Sequence, residues 1–153
     1  MKAAILILGS AALAGAAIGV SPLMIDQVRT PARYPDRVSG CRVTDGDTIR
    51  CGAERIRLLG IDAPELPGHC AEGRECAPGD GFASTTSLEN ATTDEMEIQR
   101  VGEDRYGRTL AMVAGPKGDL SCWQLAHGQA IYKQKWDNGY RVARACPSAV
   151  QQH

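Results

Sequence analysis

The stretch "CRVTDGDTIRC" (residues 41–51) sets the fold. It places an Asp-Gly turn between two short alternating runs, which is the sequence pattern of a β-hairpin. If Asp45-Gly46-Asp47 form a three-residue loop, Thr44 faces Thr48, Val43 faces Ile49 and Cys41 faces Cys51. One register then pairs the apolar residues and the cysteines together, and a slip of one residue would separate both pairs. The folded part of the chain is therefore read as starting at Gly40 with this hairpin.

Downstream, "RIRLLGI" (55–61) reads as a third strand, with Ile56 and Leu58 on one face and Arg55, Arg57 and Leu59 on the other. Residues 66–80 form a long loop carrying two cysteines, and residues 81–91 are expected to be a helix with Phe82 and Leu88 inward. Residues 95–101 and 108–115 read as strands, the second ending in a Gly-Pro-Lys-Gly turn. Residues 119–128 read as a short helix that Asp119 can cap and Gly128 can end. A last brief helix within 137–146 is stopped by Pro147. Five short strands with attached helices predict an α+β domain, with a small barrel as one solution.

Upstream, the chain is different. Lys2 is the lone charge before Asp26, and residues 3–20 are apolar with small interruptions. This pattern predicts that residues 1–25 are a signal peptide or an N-terminal membrane anchor. Residues 26–39 are proline-rich and read as a linker, residues 40–147 as the domain, and residues 148–153 as a tail. Export, to the periplasm or the exterior or as an anchored domain on the oxidising side, is the expected localisation. Contact with a membrane is expected only if the apolar segment stays uncleaved, and the domain itself is expected to be a monomer.

All six cysteines lie after the apolar segment, as in the disulfide framework of a small exported domain. The expected pairs are Cys41–Cys51 from the hairpin register, Cys70–Cys76 as the nearest in sequence, and Cys122–Cys146 as what remains. Each would contribute about 2–4 kcal/mol to a domain with a modest core. The cysteine spacing matches no zinc pattern. Charge is near balance: 17 basic against 18 acidic residues overall, and 16 against 18 once residues 1–21 are set aside. That excludes a polycation coating nucleic acid without selectivity, so any phosphate binding must be local.

Several charges fall at strand ends and turns. They are Asp45 and Asp47, then Arg57, Asp62 and Glu65 around "GIDAPEL" (60–66), then Arg105, Tyr106 and Arg108 in "EDRYGRTL" (103–110). The strand order permits all three places to meet at one mouth of a barrel. Paired aspartates offer a hard-cation site. Two arginines facing it would grip a phosphate, and a free carboxylate beside it would orient or deprotonate water. Taken singly, Asp-Gly-Asp is a turn, Asp-Ala-Pro-Glu a strand exit and Tyr-Gly-Arg a hairpin; the combination carries the reading. His69 and His127 read as solvent-facing or helix-end residues and Trp123 as core packing. Trp136 and Tyr132, near Lys133 and Lys135, have the composition of a base-stacking platform.

"DGDTIR" (45–50), "RIRLLGIDAPE" (55–65) and "DRYGRTLA" (104–111) together resemble the staphylococcal-nuclease-like, or thermonuclease, family over about residues 40–132. The resemblance implies a five-stranded OB-type barrel with three helices, and Ca²⁺-dependent hydrolysis of DNA and RNA, with Mg²⁺ as an alternative ion. It implies that Asp47 and Asp62 are metal carboxylates and that Ala63 gives the metal its carbonyl. Arg57 and Arg108 would hold the scissile phosphate, and Glu65 would act as base or orienter of the water. Tyr106 and Arg105 would lie near the nucleotide. The chain departs from the pattern in its short third helix, in the cysteine-bearing loop at 66–80 and in its slightly acidic balance, which implies weak affinity, steep salt sensitivity or small substrates. A single-strand-binding module of the envelope is the competing expectation. Such a module would be expected to lose one of these charged positions and gain basic charge; the sequence does neither. An envelope domain with a partner-binding role is a third.

Overall fold

Alternation of Val43 and Ile49 with polar neighbours folds the opening stretch into the expected hairpin. It is seen in a computed structural model that describes residues 33–152. The apolar N-terminal segment lies outside the described residues. Strands β2 (Cys41–Asp45) and β3 (Thr48–Cys51) pair with Cys41 opposite Cys51 and Val43 opposite Ile49. The loop differs in one residue from the expected one. Asp45, not Thr44, faces Thr48, because the ladder slips between Val43 and Asp45, and Gly46-Asp47 alone make the turn. The slip leaves Thr44 exposed and Asp47 buried.

Strand β1 (Asp36–Ser39) precedes the hairpin, and its residues fall inside the stretch read as a linker. It pairs with β6 (Glu95–Glu103), whereas β2, one residue further on, pairs with β3. Gly40 stands between them with φ +62°, a value that favours glycine. The two ends of the sheet are thus one strand bent at Gly40, and the bend closes the sheet into a barrel.

Strand β4 (Glu54–Leu58) follows, then β5 (Ile61–Asp62). The expected strand 55–61 is broken at Gly60, φ +70°, and β5 leaves the main sheet to pair with β9 (Ile131–Tyr132). Leu59, expected beside Arg57, is buried at this corner. Long strands β6 (Glu95–Glu103) and β7 (Thr109–Gly115) complete the barrel, and short β8 (Gly118–Asp119) extends β7 through the expected turn. The order is β1-β6-β7-β4-β3-β2, with β4 and β7 parallel and the other pairs antiparallel. Ile49, Ile56, Leu58, Met96, Ile98 and Val113 fill the interior.

Helix α1 (Gly81–Ala91) starts at Asp80, whose carboxylate accepts the Phe82 amide at 2.8 Å. Its buried positions are Gly81, Ser84, Leu88 and Ala91, which step by three and four around one face. Phe82 lies off that stripe and is 62% exposed, contrary to expectation; Leu88 is inward as expected. Asp119 caps α2 (Leu120–Ala126) as predicted, accepting the Cys122 amide at 2.9 Å, and His127 ends it. Helix α3 (Arg141–Ala145) is as brief as expected. Pro147 then opens a further short helix, α4 (Pro147–Val150), in the first-turn position where a missing N–H is harmless. Ala149 of α4, in the stretch read as a tail, is buried. All three disulfides form as expected: Cys41–Cys51, Cys70–Cys76 and Cys122–Cys146. No helix among the described residues is long and apolar enough to cross a membrane.

Burial lifts the Asp119 carboxyl to about 6, against the amide bond from Cys122 and the Tyr34 hydroxyl bond of 3.0 Å. A carboxyl raised in the folded state binds its proton more tightly there. Stability from this group is therefore present near pH 4 and lost as pH rises through about 6. Asp119→Asn keeps the cap but cannot ionise. Its unfolding free energy should gain on the wild type by about 2–3 kcal/mol between pH 4 and pH 7. Urea denaturation at stepped pH checks this; parallel curves would refute it.

Candidate active site

Asp47 and Asp62 reach one point from different parts of the chain. Asp47 is the second turn residue between β2 and β3, and Asp62 ends β5 beyond the Gly60 corner. They are 3% and 1% exposed. Arg57 of β4, opposite Thr48 in the ladder, puts its guanidinium between them. Its Nη1 donates to Asp47 Oδ1, and its Nη2 donates to Asp62 Oδ1 and to the Ile61 carbonyl, each at 3.3 Å. The Ala63 amide donates to Asp47 Oδ2 at 2.9 Å and the Thr48 hydroxyl to Oδ1 at 3.1 Å. Burial nevertheless pushes Asp47 up to about 7; Arg57 opposes this, and Asp45 adds to it. One guanidinium does not fully compensate the burial of this carboxylate.

Glu65 follows three residues after Asp62 and is partly exposed. Its backbone is fixed by close packing: a Cβ on Gly81 would stand 2.4 Å from the Glu65 carbonyl oxygen. Its partner is Arg74, a residue the sequence reading did not single out. Arg74 Nη1 donates to Glu65 Oε1 and Nη2 to Asp62 Oδ1, each at 2.7 Å. Arg74 sits inside the loop closed by Cys70–Cys76. An arginine between two cysteines just after the acidic motif was the available signal, but nothing local marks its direction.

Arg108 leaves on the same sheet face as Arg57, because Arg57 faces Leu110 across β4 and β7 and Arg108 lies two residues before Leu110. Its guanidinium does not join the aspartates. It pairs with Asp104 at 2.7 Å, an i,i+4 partner within its own turn. Its Cζ lies 5.4 Å from the centre of the Tyr106 ring. Tyr106 is 59% exposed, and Arg105 donates to its hydroxyl at 2.5 Å. Arg105 and Tyr106 thus stand together in that turn without touching the Asp47–Asp62 cluster. On the other side Trp136 places its ring 5.5 Å from Arg57 Cζ. Beside it is an open hollow of about 550 Å³ lined by Tyr132, Lys133, Gln134, Lys135, Asp137 and Tyr140. His127 contacts Trp123 and has no place in the site.

Asp47, Asp62 and the Ala63 carbonyl are oxygen donors, the chemistry of a hard divalent cation. The burden on Asp47 fits an added positive charge. Among the described residues no group of three or more His, Cys, Asp or Glu is arranged to hold an ion. Two carboxylates and a carbonyl would therefore leave most of the shell to water and to ligand oxygens.

The family model described as "Staphylococcal nuclease homologue" matches residues 55–151; the turn that carries Asp47 precedes the matched span. The chain is 30% identical over 100 residues to "Succinoglycan biosynthesis protein ExoI" of Rhizobium meliloti, covering 63% of this chain and 52% of that protein. It is 31% identical over 100 residues to an "Uncharacterized endonuclease" of Haemophilus influenzae, covering 61% and 51%. It is 37% identical over 78 residues to the "Thermonuclease" of Staphylococcus intermedius, covering 47% and 45%. The matches span about half the length of these relatives. A barrel with one parallel pair, a buried Asp–Arg–Asp cluster at its end and a model match over more than half the chain lead to one statement: the chain belongs to the staphylococcal nuclease homologue family, with the OB-type fold.

Proposed function

We propose that this domain hydrolyses phosphodiester bonds of DNA or RNA in an oxidising compartment outside the cytoplasm, with Ca²⁺, or Mg²⁺ in its place. The observation that carries this reading is the Arg57 guanidinium held between buried Asp47 and Asp62, with Glu65 three residues on. The endonuclease and thermonuclease names of two relatives support it. The three disulfides support the compartment.

In this reading Asp47, Asp62 and the Ala63 carbonyl hold the cation, which when bound would polarise the phosphate and acidify water. Arg57 presents its fork to a phosphate oxygen. Arg108, on the same face of the next strand, turns from Asp104 to the other side of the phosphate. Glu65 accepts a proton from water as its oxygen bonds to phosphorus. The P–O bond to the leaving oxygen breaks, and a proton returns to that oxygen. Both guanidiniums stabilise the charge that builds on phosphorus in between. Tyr106 and Arg105 flank the nucleotide. The second reading is a single-strand-binding module. It is favoured by the pairing of Glu65 with Arg74 and of Arg108 with Asp104, which leaves neither free in this conformation.

Two measurements separate and test these readings. Residues 26–153, with disulfides intact, should cleave single-stranded DNA, duplex DNA or RNA at low salt with added cation, and chelator should abolish cleavage. Glu65→Gln should lower kcat by about 10²–10⁴-fold with little change in KM. Unchanged turnover would remove Glu65 from the mechanism. A folded protein that binds single strands and never cuts them would establish the binding module instead.

Arg57→Ala should cost about 3–5 kcal/mol of stability at neutral pH without cation, since it leaves buried Asp47 with no cationic partner and Asp62 with Arg74 alone. The loss should shrink at pH 5, where Asp47, already at about 7 with Arg57 present, is protonated. Ca²⁺ should restore part of the melting temperature by replacing the missing charge. A variant as stable as wild type at neutral pH would show that the ion pair does not bear on folding.

A further inference from the structure

Three arginines stand side by side across the outer face of the barrel. Arg42 of β2 is the ladder partner of Arg50 of β3, and Arg50 is the partner of Arg55 of β4. Arg42 and Arg55 are exposed and Arg50 half-buried, and none has a side-chain partner among the described residues. Like charges directly opposite one another in a sheet repel. Other arginines of the sheet are paired: Arg37 with Glu95, Arg100 with Glu54 and Asp36, and Arg108, at the start of β7, with Asp104. In a domain with more acidic than basic residues, three unpaired guanidiniums in one row are a local concentration of positive charge open to an outside anion.

Their position says which anion. Arg55 and Arg57 lie two residues apart on one strand, hence on the same face and about 7 Å apart. The row therefore runs directly beside the Asp47–Arg57–Asp62 cluster. The parallel register that pairs Ile56 with Thr109 brings Arg108 level with Arg55, so the row points toward the Tyr106 turn. Adjacent strands are about 4.8 Å apart, which spreads the three guanidiniums over about 10 Å. That is too wide for a single phosphate group and suits consecutive phosphates of a chain. A membrane surface fits less well. The exposed large apolar side chains are Phe82, Tyr106, Trp136 and Tyr140, and none belongs to these three strands.

We propose that Arg42, Arg50 and Arg55 form a docking strip for the sugar–phosphate backbone of a nucleic-acid strand that extends beyond the site. The strip makes the preferred substrate a chain of several nucleotides rather than a dinucleotide. The inference rests on the nucleic-acid reading of the site, but not on its being able to cut.

The test compares wild type with the triple variant Arg42→Gln/Arg50→Gln/Arg55→Gln, using a 12-nucleotide single-stranded DNA and a dinucleotide. Binding of the 12-mer is measured in chelator, so that no cutting occurs, over a range of salt. The triple variant should bind at least about tenfold more weakly. The slope of log K against log salt should fall by about 0.7 per arginine, or about 2 in all. Its kcat on the dinucleotide should stay within about twofold of wild type. Its melting temperature should be unchanged or higher, because repulsion has been removed. The corresponding triple lysine variant should keep the salt slope. An unchanged affinity and slope overturns the strip, and so does a loss confined to vesicles containing phosphatidylserine. Wild type that binds the 12-mer through this slope without ever cutting it sustains the strip and defeats the hydrolase reading. Cutting by wild type with no sensitivity in the triple variant does the reverse.

Discussion

Two carboxylates buried at the end of a small barrel, Asp47 and Asp62, share one guanidinium, that of Arg57. Three charges are withdrawn from water together, and the desolvation is repaid only if all three arrive in register. The rest of the fold is arranged to deliver them. The slip in the β2–β3 ladder turns Asp47 inward, the Gly60 corner swings Asp62 out of the sheet, and β4 supplies Arg57 opposite Thr48. Gly46 is glycine for packing rather than dihedral reasons: a Cβ there would stand 2.0 Å from Ser84 Oγ of α1. Buried Gln124 donates to the Gly46 carbonyl at 2.7 Å, so α2 also fixes the turn that bears Asp47.

Two of the disulfides act outside the barrel core, on the short C-terminal helices and on the loop at the site. Cys122–Cys146 ties α2 to the junction of α3 and α4, where the chain has helices of five and four residues. Such helices are too short to persist alone. Asp137 helps by accepting the Val142 amide at 2.9 Å and the Ala143 amide at 3.0 Å, which caps α3 from a distance. Cys70–Cys76 works at the site itself, since the loop it closes carries the Arg74 side chain that grips Asp62 and Glu65. A disulfide here restricts the reach of one guanidinium as well as the entropy of a loop.

What could be read from the sequence followed physical range. The hairpin register and the Cys41–Cys51 pair were legible because period-two alternation and cysteine position agreed. The Asp119 cap and the turn before it were legible because capping is local. Strand β1 was not, since "DRVS" is too short for a pattern and its partner β6 lies about sixty residues away. Phe82 is large and apolar but lies off the Gly81–Ser84–Leu88–Ala91 stripe of α1, so its angle around the helix, not its size, decides its exposure. The acidic residues and Arg57 were legible as a set. Arg74 was not, because its partners are fixed by loop closure rather than by any period. Arg108 is the opposite case: its Asp104 partner lies four residues away, a local pairing that the spacing itself displays.

Charge placement explains how a slightly acidic domain can serve a polyanion. Net charge sets attraction at long range, but salt screens that within about 8 Å at physiological strength. At contact distance only the local array matters. Here Arg37, Arg57, Arg74, Arg100 and Arg108 are paired with carboxylates, and Arg42, Arg50 and Arg55, which are not, stand in one row next to the buried cluster. Such a row attracts a polyanion locally although the net charge of the domain does not. Affinity should then depend on register with the row more than on total charge, and salt should weaken it through a small, countable number of contacts. The repulsion stored between Arg42, Arg50 and Arg55 in the free protein is relieved when phosphates lie across them. The same feature that slightly destabilises the empty barrel thus strengthens its grip on an extended strand.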